Sequence, residues 1–192
     1  EVGPGAPTLC AGWTTIDLAA HLMVRDRRPD VGPGLILSGP FARHTARVTR
    51  RAAERVPFER LVTRIRSGPP WPIRLVDGPV NLVEYFVHLE DVRRAVDGWA
   101  PRSGLDDLQD ALWPFQKSGT KLRTRRVQDV GLSIARPGGQ PVAVRSGSRQ
   151  VTATGDPGEL ALFFFGRRDR SRVDLTGDPD GVSEVRTAPI GF

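Results

Sequence analysis

The 192-residue chain contains one cysteine, one methionine, one tyrosine and three histidines. A single thiol, Cys10, excludes an intramolecular disulfide framework and any metal site built from several cysteines. No apolar run approaches the ~18 residues that a membrane-spanning helix needs. No charged-then-apolar leader opens the sequence. These absences lead to the expectation of a soluble, cytoplasmic protein that engages no membrane. Lysine is scarce too: only Lys117 and Lys121 occur among 28 basic residues.

At 39% hydrophobic residues, the chain can bury a core without staples, as one large domain or two small ones. The formal charge of +6 raises nucleic acid as a partner. The arginines are interspersed with acids, however, as in Arg25-Asp26-Arg27-Arg28-Pro29-Asp30. That pattern reads as a solvated surface, and nucleic acid is not expected as the main partner.

Along the chain, Glu1 to Trp13 is rich in Gly and Pro and reads as a loop. Thr14 followed by Asp17 forms a capping box for a helix running to about Arg28. Pro29 and Gly32-Pro33-Gly34 stop it. Further helices are expected from about residue 39 to Val56, after Pro57, from Pro79 to Gly98, and from Leu105 to Arg125. Residues 67–72 form a break between them. After Arg126 the character changes. Short β-branched runs at 127–135, 141–145, 150–154 and 172–176 read as strands. Asp156-Pro157 and Asp178-Pro179 open two helices between and after them. The fold class is therefore α+β, with a helical part at 1–126 and a small α/β part at 127–192.

The chemistry concentrates on the helix that follows Pro79. At 100° per residue, Glu90, Arg93, Arg94 and Asp97 cluster on one face, assigned to solvent. Glu84 and His88 sit one turn apart on the opposite, apolar arc. A carboxylate and an imidazole on a buried side need a reason. They could pair with each other, or they could share a metal, as ligands at i and i+4 do. His21, among Leu18, Leu22 and Val24, is the candidate third ligand. Three protein ligands leave a position open, which marks a catalytic site. Asp91 lies close in azimuth and could orient a ligand. The plainer alternative is a buried Glu–His hydrogen bond with His21 as a core histidine. His44 reads as a surface residue, Asp17 as a cap rather than a ligand, and Cys10 as a half-buried thiol.

Three segments carry a resemblance. Residues 7–22 (PTLCAGWTTIDLAAHL), 81–95 (NLVEYFVHLEDVRRA) and 155–167 (GDPGELALFFFGR) are similar to corresponding segments of the mycothiol-dependent maleylpyruvate isomerase family, within the DinB/YfiT-like metalloproteins. The similarity spans nearly the whole chain and is strongest to an actinobacterial subgroup described only as metal-binding. It implies a DinB-like helical bundle followed by a small sterol-carrier-like α/β domain. It also implies one divalent metal, usually zinc, held by His, Glu and His, which carry over onto His21, Glu84 and His88. Mycothiol would be the cosubstrate, its metal-bound thiolate attacking an electrophilic small molecule in an isomerase or S-transferase reaction. An arginine of the C-terminal domain assists in the family, and Arg167 is the position to test. Arg25 and Arg28, one and two turns after His21, could meet a substrate carboxylate or serve the surface. Family members begin with a long helix before the Gly-Pro loop, whereas this sequence starts at that loop. A partner, a second copy or residues outside this sequence would then cover the exposed bundle face. Two other functions stay open: a non-catalytic metal-binding sensor, and a nucleic-acid-binding regulator.

Overall fold

The computed structural model describes residues 2–31, 39–71 and 78–190. Five helices come first: α1 (Thr15–Arg27), α2 (Pro40–Arg55), α3 (Phe58–Arg66), α4 (Gly78–Arg93) and α5 (Asp106–Arg123). Four strands follow, β1 (Val130–Ala135), β2 (Val142–Arg145), β3 (Arg149–Thr154) and β4 (Asp174–Gly177). Helix α6 (Pro157–Phe164) links β3 to β4, and α7 (Pro179–Thr187) comes last. The architecture is α+β, in the order read from the sequence. The Gly32-Pro33-Gly34 stop and the Pro72 end of the break lie outside the described residues. Among the described residues no helix is long and apolar enough to cross a membrane.

Contacts divide the chain into two compact units, residues 1–81 with 88–100, and residues 82–87 with 101–192. Helix α4 runs continuously through both assignments. In the first unit, Ala19, Ala20, Met23 and Val24 of α1 pack with Val31 and Leu61. Val48, Ala52 and Val56, with Phe58 and Ile65 of α3, complete that cluster. Both α2 and α3 thus bury a narrow apolar stripe and turn arginines outward.

The second unit holds two apolar clusters. Val83, Phe86 and Val87 of α4 pack with Leu112 of α5 and with Ala161, Leu162 and Phe165 at α6. The other cluster joins the sheet to α6 and α7 through Leu132, Ile134, Val151, Leu160, Phe164 and Val185. Strand order is β2-β1-β3-β4, with β1 parallel to β3 and the other pairs antiparallel. Only residues 146–148 connect β2 to β3, which lie on opposite sides of β1. Gly147 makes that crossing feasible, because a Cβ there would lie 2.2 Å from the Val130 carbonyl carbon. Ser148 is tied down at the same place, donating from its N–H and its hydroxyl to the Asp129 carboxylate at 3.2 and 2.6 Å.

One expectation is overturned. Of the face assigned to solvent, Asp97 is exposed and Arg93 half-buried, but Glu90 and Arg94 are each only 1% exposed. Leu89 and Val96 are exposed instead. The helix also ends at Arg93, with turns carrying the chain to Gly98. The reason is charge pairing. Glu90 accepts from Arg94 Nε at 2.7 Å and from Arg93 Nη1 at 2.8 Å, and the Arg94 guanidinium stacks over Trp99 at 4.5 Å. A paired and stacked guanidinium can be buried where a lone one could not. Burial opposes ionisation of Glu90, but the Arg94 and Arg93 hydrogen bonds prevail and hold its pKa below the usual carboxylate value.

Candidate metal centre

The start of α1 is pinned by its cap. The Asp17 carboxylate accepts from the Thr14 N–H at 2.9 Å and from the Thr14 hydroxyl at 2.8 Å. Asp17 is thereby engaged as the capping residue. One turn on, the half-buried His21 ring lies 5.3 Å from the Trp13 ring. It also stands edge-on to His88, with centroids 5.2 Å apart and planes at 77°.

Helix α4 supplies Glu84 and His88 one turn apart, Glu84 half-buried and His88 buried. Each of His21, Glu84 and His88 offers one ligand atom, and these atoms lie within 4.8 Å of one another. These three side chains form one of two ligand-spaced groups among the described residues.

A second set adjoins the first through His88. Its Nδ1 lies 2.9 Å from Asp91 Oδ2, and the Cys10 thiol donates to that same oxygen at 3.2 Å. Cys10 Sγ lies 4.0 Å from His88 Nδ1. The Leu9 N–H donates to the Asp91 carbonyl at 3.0 Å, which fastens the Cys10 loop to the end of α4. Cys10, His88 and Asp91 also meet the spacing of a metal-ligand group. Their separations decide how they are used. Two ligands at ~2.0 Å in a tetrahedral shell stand roughly 3.3 Å apart. The His88–Asp91 separation of 2.9 Å is that of a hydrogen bond. A carboxylate on one imidazole nitrogen fixes the ring and leaves the other nitrogen to face a metal.

Glu84 and Arg123 attract one another. Burial pushes the Arg123 guanidinium down to about 10, against the opposing pull of the Glu84 charge. The Arg123 guanidinium also lies 3.6 Å from the Phe165 ring centroid.

The other sequence candidates are placed as follows. The Arg25 side chain is 8% exposed, lies 3.6 Å from Asp26 and donates to Asn81 Oδ1. Arg28 pairs with Asp30 at 2.8 Å on the surface. His44 is exposed, as expected, and meets the same Asp30 at 2.8 Å. Arg167 is half-buried and donates to the Phe165 carbonyl at 2.5 Å. Sequence reasoning missed the link from Cys10 to Asp91, because residues 81 positions apart share no periodicity.

No family model matches this chain, and no curated protein matches it. Two solved structures do. One, the crystal structure of the mycothiol-dependent maleylpyruvate isomerase, aligns with a TM-score of 0.57 at 15% identity, over 90% of this chain and 82% of that one. The chain shares that fold. A histidine-to-alanine mutant of the same isomerase aligns with a TM-score of 0.50 at the same identity and coverage. At this identity the likeness is one of architecture, and any shared chemistry must be argued from the residues.

Proposed function

We propose that this protein is a metal-dependent enzyme using a low-molecular-weight thiol, an isomerase or S-transferase acting on an electrophilic small molecule. The observation that carries the reading is the convergence of the ligand atoms of His21, Glu84 and His88 within 4.8 Å. Two imidazoles and a carboxylate fit a divalent metal such as zinc, and three donors leave room for an exogenous group. The similar fold is that of a mycothiol-dependent isomerase, which supports mycothiol as the thiol.

A divalent metal bound here would supply a lowered thiol pKa, so that the cosubstrate is nucleophilic at neutral pH. The chain's own residues have separate tasks. Asp91 fixes the His88 ring through Nδ1 and leaves Nε2 as the ligating nitrogen. The Asp91 carboxylate also engages the Cys10 thiol, so the reacting sulfur is that of the cosubstrate. Arg123 places a cation in attraction with the Glu84 carboxylate. Trp13 limits the orientation of the His21 ring. Arg25 and Arg167 are the cations proposed for an anionic substrate; to act, each must exchange its present acceptor for substrate oxygens.

A second reading has a specific observation behind it: Cys10, His88 and Asp91 themselves form a ligand-spaced group. Under that reading the protein is a metal-binding sensor with no open position for a thiol. Metal analysis of the purified protein separates the two. We expect about one divalent ion per chain, lost in His21→Ala and Glu84→Gln and kept in Cys10→Ser. Loss in Cys10→Ser with retention in His21→Ala would establish the sensor geometry. Thiol addition to a maleyl-type electrophile, present in the loaded protein and absent in Glu84→Gln, then tests the activity.

A further inference from the structure

The net charge of the chain is not spread evenly. Residues 39–71 contain eight arginines against Glu54 and Glu59, a surplus of +6. The rest of the chain has 20 basic residues and 20 acidic ones, which cancel. The whole formal charge of +6 therefore resides on the segment that forms α2 and α3. The interspersing of arginine with acid, so evident around Arg25 and Glu90, thins here to Glu54, on the face of Arg43, Arg47 and Arg50, and Glu59.

All eight arginines of this segment are exposed: 43, 47, 50, 51, 55, 60, 64 and 66. Several arginines elsewhere are held by acids, as in Arg28–Asp30, Arg94–Glu90 and Arg136–Asp110. Among the described residues, none of these eight side chains forms a salt bridge. Arg43, Arg47, Arg50 and Arg51 follow i, i+4, i+7, i+8 spacing and share one face of α2, and Arg60 and Arg64 repeat the i+4 step on α3. Repelling cations on one face destabilise the helix that carries them. Such an arrangement is relieved by a polyanion.

We propose that this arginine face binds the phosphodiester backbone of nucleic acid, without sequence preference. The guanidinium fork matches phosphate oxygens two at a time. From Arg43 to Arg55 the helix rises roughly 18 Å, which faces about five phosphates of one strand at ~3.4 Å axial spacing. An anionic membrane is the weaker fit. A basic helix holds a bilayer by inserting its apolar face, and here Val48, Ala52, Val56, Phe58 and Ile65 spend that face on the core of the first unit. Phe41 and Trp71, 52% and 74% exposed, offer rings for stacking an unpaired base.

The test is fluorescence anisotropy of the intact protein with a labelled 20-nucleotide single strand and the corresponding duplex. Binding is expected at 50 mM salt, weakening about 10²–10³-fold by 200 mM as counterions are released. The quadruple variant Arg43→Gln, Arg47→Gln, Arg50→Gln, Arg51→Gln should bind at least tenfold more weakly. A control with the same loss of charge, Lys121→Gln, Arg125→Gln, Arg126→Gln, Arg186→Gln, should stay within about threefold of the parent. Circular dichroism checks that both remain folded. A single-strand preference would add the exposed rings to the surface, and equal affinities would leave the arginines alone responsible. No binding at 50 mM salt would overturn the proposal, as would equal losses in the two variants. Binding to phosphatidylglycerol vesicles with none to either nucleic acid would reassign the face to a membrane.

Discussion

The two compact units bury different kinds of matter. The sheet core of the second unit is hydrocarbon, from side chains such as Leu132, Ile134, Leu160, Phe164 and Val185, and the unit's buried Glu159 carboxylate is met by the Arg172 N–H at 2.8 Å. The first unit buries a comparable set around α1, but it also buries Asp26, His88, Glu90, Asp91 and Arg94. Burying a charge without a partner is prohibitive, so each must be held by another. The apolar unit is specified by shape and volume, and the ionic one by pairing geometry. Groups already desolvated and aligned are the ones that can hold a metal or orient a ligand, and Cys10, His21, His88 and Asp91 belong to the first unit.

The comparison can be broken from either side. The largest loss is expected from Phe164→Ala, which empties a fully buried site in the sheet core. Thermal or denaturant unfolding should show a loss of about 3–5 kcal/mol, with metal content unchanged. Arg94→Met removes the buried partner of the Glu90 carboxylate and leaves it to the half-buried Arg93, and should be destabilising by up to about 3–5 kcal/mol. Adding Glu90→Leu should recover most of that loss, whereas no second change of charge would rescue Phe164→Ala. Gly158→Ala tests how tightly the helices of the second unit meet. A Cβ there would lie 2.4 Å from Phe86 Cζ, and the Gly158 N–H already donates to Gln109 at 2.7 Å. A loss of about 1–3 kcal/mol is expected.

The smaller effects sharpen the contrast. Asp91→Asn should weaken metal affinity about 10–100-fold in a competition titration, with little change in folding cooperativity. A proportionate loss of stability without loss of affinity would make Asp91 structural only. Asp17→Ala removes the α1 cap and should lower stability by about 1 kcal/mol. Its metal content should stay whole, since Asp17 serves Thr14 and not the metal.

The apolar unit was the more legible of the two in the sequence. Helix starts at Pro157 and Pro179 carry local signals, and strands end at Gly and Pro turns, so order and type of element followed within a few residues. Glu84 and His88 were legible because i and i+4 positions share a helix face whatever the tertiary structure. The burial of Glu90 and Arg94 was not, because a helical wheel weighs side chains singly and cannot see that a pair shields itself. Cys10 and Asp91 were joined only by the return of the first loop onto α4. The arginine surplus and its concentration in residues 39–71 are countable in the sequence, whereas the exposure of those side chains and their lack of a salt bridge among the described residues are not.

Metal analysis of the parent protein and of His21→Ala, with Cys10→Ser as companion, addresses the central claim most directly. We expect near one divalent ion per chain in the parent and in Cys10→Ser, and less than about a tenth of that in His21→Ala. Equal metal content in the parent and in His21→Ala would contradict the account. It would leave His21 as a packing residue, and the site as no thiol-binding centre.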